Sequence, residues 1–100
     1  MKSEKILLLD VHVEGMEKRL QELDWNVKTV TKLFGPTEKD RRDEKIFDHA
    51  KNNKKTVVVI TQDNGLMERC LDEGIEVAFL DMEDLAEKID EDLSKRFVKF

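Results

Sequence analysis

Two runs in this chain are apolar without interruption: Ile6-Leu7-Leu8-Leu9 and Val57-Val58-Val59-Ile60. A strand with one face in water alternates between apolar and polar residues, so continuous runs mark strands covered on both faces. They predict central strands over Lys5–Val11 and Thr56–Thr61. Asn26–Val30 is a weaker strand, with Lys28 and Thr29 breaking up its valines, which suits a sheet edge. Glu76–Leu80 reads as a fourth strand. Helical spacing recurs between these runs. Met16, Leu20 and Leu23 predict a helix over Glu14–Asp24, and Leu66, Met67, Cys70 and Leu71 another, ended by Gly74. Met82, Leu85, Ala86, Ile89 and Leu93 predict a last one. Thr37 and Asp40 form an approximate capping box for a helix running to about Asn52. Before it, Thr31–Pro36 carries Gly35 and the only proline, and reads as a loop. The spacing assigns no element to the tail Lys95–Phe100.

The order β-α-β-α-β-α-β-α implies an α/β fold, a three-layer α/β/α arrangement around a four-stranded parallel sheet. Right-handed crossovers with the two apolar strands in the centre give the strand order 2-1-3-4. The winding direction then reverses between the first and third strands. Ligands of open α/β sheets bind in the crevice at such a switch point, outside the strand C-termini.

Composition narrows the class. One hundred residues make a single domain over 1–100, with a core of about 5–93 and a tail over 94–100. The charged share of 41% exceeds the usual level of about 25% and predicts a surface dense in ion pairs. A net charge of −5 and a pI near 5.1 argue against non-specific coating of nucleic acid by the whole chain. The single Cys70 excludes an intrachain disulfide and a multi-cysteine metal site. No signal peptide or membrane-spanning run is read in the chain, which leads to the expectation of a cytoplasmic protein with no membrane partner.

The candidate chemistry lies in three aspartates. Asp10 closes the first apolar run, and Asp63 follows the second by two positions. Asp43 lies in the first turns of the helix feeding the second run. At about 100° per residue it falls on the face of Ile46, Phe47 and Ala50, aimed at the sheet. Glu44 is the substitute if that phase is slightly off. Each acid also has an ordinary structural reading: Asp63 and Asp10 as helix or turn caps, Asp43 as a charge at the positive end of its helix dipole. Converging carboxylates repel one another, and a divalent cation relieves that repulsion.

Leu7-Leu8-Leu9-Asp10, the first amphipathic helix, Asp43-Glu44-Lys45-Ile46 and Val59-Ile60-Thr61-Gln62-Asp63 resemble the small PIN-like domains. These are minimal prokaryotic relatives of PIN nucleases and of VapC-type toxins. The resemblance spans about positions 5–81 and implies a metal-dependent ribonuclease. Asp10, Asp43 (or Glu44) and Asp63 match its acidic positions, and Mg²⁺ or Mn²⁺ is its cofactor. Single-stranded RNA, an antitoxin-like protein partner and a homodimer follow as expectations of the same kind. The chain departs from the pattern at Val11 and His12, where polar positions are usual, and at Gly65, where a further acid is usual. Asn64 can offer an oxygen ligand instead. Asp10 and Asp63 are then expected as direct ligands, with Asp43 binding directly or through water.

Basic residues accompany the acids. Arg41 and Arg42, with Lys39 and Lys45, are candidates for phosphate contact, whereas Lys51, Lys54 and Lys55 read as a solvated face. His49 lies about 240° round its helix from Asp43 and is expected in solvent. His12 reads as a turn residue, Cys70 as a core thiol and Asp81 as a helix cap. Trp25 and the tail phenylalanines are candidates for local packing or a dimer contact. The leading rival to a nuclease is a catalytically degenerate PIN-like module that binds RNA or a protein. A receiver-like phosphoacceptor ranks behind it, because receivers carry paired acids after the first strand and a fifth strand.

Overall fold

Leu7, Leu8 and Leu9 are all buried, as a strand with both faces covered requires. The computed structural model describes residues 4–97. It contains four strands: β1 (Ile6–Leu9), β2 (Asn26–Thr29), β3 (Val57–Thr61) and β4 (Glu76–Phe79). Five α-helices accompany them: α1 (Glu17–Glu22), α2 (Val30–Phe34), α3 (Asp43–Asn52), α4 (Asn64–Asp72) and α5 (Met82–Phe97). The sheet is parallel throughout, with order β2-β1-β3-β4. The apolar strands β1 and β3 are central and the mixed strands form the edges. Register aligns Leu9 with Ile60, so the two central strands end together and Asp10 and Asp63 leave from one edge.

Alternation along the strands divides the core in two. Leu8, Val57 and Val59 face α2, α3 and α4, packing with Val30, Ile46, Ala50, Leu66 and Cys70. Leu7, Leu9, Val27 and Ile60 face the other way and pack with Val13, Met16 and Leu20. Cys70 is fully buried in the first of these layers, and burial pushes its thiol pKa up, as expected of a core thiol.

Three local predictions change. The segment after Asp10 does not wait until Glu14 to turn helical: a 3-10 helix runs over Val11–Met16 and α1 continues it. Val30 does not end a strand but opens α2, within the segment read as a loop. The Thr29 hydroxyl accepts from Lys32 N–H, and the Glu14 carboxylate accepts from Thr31 N–H at 2.8 Å and from its hydroxyl at 3.0 Å. Those bonds satisfy the free donors of the helix start. Thr37 and Asp40 do bond reciprocally, hydroxyl to carboxylate at 2.6 Å and Asp40 N–H to hydroxyl at 3.2 Å, but they close an isolated turn. Helix α3 begins later, at Asp43. Of the unassigned tail, α5 extends through Phe97, while Val98 and Phe100 lie outside the described residues.

Candidate functional site

Asp10, Asp43 and Asp63 line one open cleft of about 260 Å³ at the strand C-terminal edge, together with Val11, His12, Glu38 and Arg41. Each aspartate comes from a different element, and each is held differently.

Asp10 forms the floor. It is only 5% exposed, and both its oxygens are engaged: Oδ1 accepts from Val11 N–H at 2.7 Å, and Oδ2 accepts from the Thr61 hydroxyl at 2.8 Å. Thr61 is itself fully buried and accepts in turn from Asp63 N–H at 2.9 Å. One hydroxyl therefore joins the ends of β1 and β3 and fixes the spacing between two of the acids. A carboxylate has about four lone-pair sites, so Asp10 keeps acceptor capacity toward the cleft.

Asp63 stands at the start of α4, where its Oδ1 caps the helix by accepting from Leu66 N–H at 3.0 Å. A Cβ at Gly65 would approach that same oxygen to 3.2 Å, so glycine leaves the carboxylate room. Asp43 is the first residue of α3, with Ile46 and Ala50 buried behind it. Its pKa is raised, first by partial burial, then by the charges of Asp63 and Asp10 and by a hydrogen bond with Asp63. Arg69 of α4, whose guanidinium lies 4.4 Å from the centre of the Phe47 ring, pulls the other way. Asp43 is thus a half-buried acid facing two like charges.

The basic candidates divide. Arg41 lines the cleft, with its Nε donating to Thr37 O at 3.3 Å. Arg42 is the exposed N-cap residue of α3, and Lys45 pairs with Asp40 at 3.5 Å. Neither they nor Lys39, Glu44 and Asn64 line the cleft. His49 is partly exposed, with its ring edge-on to Phe34 at 5.5 Å, and burial, then the charge of Lys28, lowers its pKa. Asp81 does cap a helix, accepting from Glu83 N–H at 2.9 Å. Sequence reasoning passed over Thr61, Glu38 and Arg69. Thr61 alone had a signal, as a hydroxyl ending an otherwise apolar buried run.

Among the described residues, no group of three or more His, Cys, Asp or Glu side chains is placed to hold a metal ion. By donor chemistry alone, carboxylate oxygens are the kind a hard cation takes. Mg²⁺ in particular is usually held by one or two carboxylates and retained waters. The close Asp43–Asp63 pair is the part of the cleft with that chemistry.

Comparison with protein-family models, with curated proteins and with solved structures finds no match to this chain. No helix among the described residues is long and apolar enough to cross a membrane.

Proposed function

We propose that the protein is a divalent-metal-dependent ribonuclease that hydrolyses phosphodiester bonds of single-stranded RNA in the cytoplasm. The observation that carries this reading is the convergence of Asp10, Asp43 and Asp63 on one cleft with Asp43 held in repulsion. Asp43 and Asp63 would hold Mg²⁺ or Mn²⁺ directly, and Asp10 would support them from the floor. A bound ion supplies an acidified water and offsets charge on the attacked phosphorus. Arg41 contributes a cation for the phosphate. The cleft is smaller than the about 300–1,000 Å³ that encloses a drug-sized ligand, so it suits one phosphodiester group of a strand lying across it. Incubation with single-stranded RNA and Mn²⁺ tests the reading: the wild type should cleave, chelation should stop it, and Asp63→Asn should be silent.

One observation favours a second reading, a degenerate PIN-like module that binds RNA or an antitoxin-like protein without cleaving. Both oxygens of Asp10 already serve the fold. Intact RNA after incubation with wild-type protein and Mn²⁺ would select this alternative.

A further inference from the structure

Glu38 lines the cleft with the three aspartates and Arg41, yet it takes no part in their arrangement. Among the described residues no three acids are placed to hold one ion, so Glu38 does not join two of the aspartates around a cation. Nor does its carboxylate take part in a hydrogen bond or ion pair among the described residues.

The backbone sets its place. Residues 37–41 form one helical turn, in which Arg41 N–H donates to Thr37 O and to Glu38 O, each at 3.2 Å. The Thr37 hydroxyl braces the turn by donating to the Asp40 carboxylate at 2.6 Å, and Lys45 Nζ approaches the same carboxylate at 3.5 Å. Gly35 lies against the turn, where a Cβ would crowd Asp40. Residues three apart on a helical turn are neighbours, about 5–6 Å between Cβ atoms, so Glu38 and Arg41 reach the cleft side by side. They do not pair with each other. Arg41 Nε donates to Thr37 O at 3.3 Å instead, which leaves the terminal nitrogens of the guanidinium for another partner.

An unpaired carboxylate beside a phosphate-binding arginine repels nucleic acid unless the ligand brings it a donor. Close to a phosphate the RNA backbone offers one donor, the ribose 2′-hydroxyl, and the DNA backbone offers none. The step from Arg41 to Glu38 is comparable with that from a phosphate to the hydroxyl of its ribose. We infer that Glu38 accepts a hydrogen bond from the 2′-hydroxyl of the nucleotide whose phosphate Arg41 holds, and so selects RNA against DNA. This assignment rests on the reading of the cleft as an RNA site. One carboxylate attracts the first ligand and repels the second, and selectivity is the difference between the two.

Fluorescence anisotropy with a short labelled RNA of mixed sequence and its all-2′-deoxy counterpart tests the assignment. Ca²⁺ replaces Mn²⁺ to separate binding from hydrolysis, with strand length checked on a gel. Wild type should bind the RNA about tenfold more tightly than the DNA, the scale of one hydrogen bond to a charged group. Glu38→Leu removes both acceptor and charge, so the ratio should fall to near one. Glu38→Gln keeps an acceptor and should hold an intermediate ratio. Arg41→Met should weaken both ligands and lower the slope of affinity against salt by about one. Equal binding of RNA and DNA by wild type would overturn the role of Glu38 and leave the RNA site standing, as would an unchanged ratio in Glu38→Leu. Binding of neither ligand would overturn the RNA site and the role of Glu38 with it.

Discussion

The floor and the rim of the cleft use the same residue type for opposite purposes. Asp10 on the floor is buried and bonded at both oxygens, and it holds two strand ends through Thr61. Asp43 on the rim has its pKa raised, first by partial burial and then by the like charges it faces. A satisfied carboxylate stabilises a fold, whereas a repelled one costs stability and becomes favourable only when something positive arrives. The floor is therefore read as structure that positions the site, and the rim as the part kept for binding.

The largest effect should come from breaking the floor. Thr61→Val keeps the shape but removes the donor to Asp10 and the acceptor for Asp63 N–H, leaving buried polar groups unpaired. The expected loss is about 2 kcal/mol, or about 10 °C in Tm, read by urea and thermal unfolding. Wild-type stability in this variant would show that the hydroxyl bridge does not hold the two strand ends.

Next is the loop that carries Glu38 and Arg41 to the rim. Gly35 has φ +128°, and a Cβ there would lie 2.5 Å from Asp40 Oδ2. Gly35→Ala should cost about 1–2 kcal/mol in denaturant melts, and it should weaken phosphate-analogue binding at the rim while leaving the floor intact.

The rim itself should respond with the opposite sign. Native Asp43 keeps its proton to higher pH than the unfolded chain does, so the native state binds more protons above about pH 4. Its contribution to stability is therefore lost as pH rises from there through the raised pKa, and the penalty is constant beyond. Asp43→Asn removes the penalty. The metal-free variant should match wild type near pH 3 and melt about 2–4 °C higher at pH 7, a gain typical of relieved surface repulsion. A lower Tm at pH 7 would mean that Asp43 is a structural acid like Asp10. The smallest effects belong to Glu44→Gln and Asn64→Ala. Neither residue lines the cleft, so stability should stay within about 0.5 kcal/mol and metal response should be unchanged.

The same contrast explains what could be read in the sequence. Strands β1 and β3, the sheet order and the meeting of the three aspartates follow from apolar runs and winding rules, because burial on two faces leaves a plain pattern. Helix α2 was hidden because its start depends on Glu14, seventeen residues before Thr31. The start of α3 was misplaced because Thr37 and Asp40 satisfy each other within one turn, and local sequence cannot tell that turn from a cap. The division between floor and rim was out of reach as well. It depends on which acid Thr61 touches across two strands, and no spacing along the chain encodes that contact.

The most direct measurement of the central claim is thermal melting of the full chain against rising Mn²⁺ at pH 7, with Asp43→Asn alongside. The account predicts a saturable rise in wild-type Tm. At ten times the dissociation constant the stabilisation should be about 1.4 kcal/mol, several degrees, and it should be lost in the variant. A wild-type Tm unmoved by millimolar Mn²⁺, or an equal rise in Asp43→Asn, would contradict it.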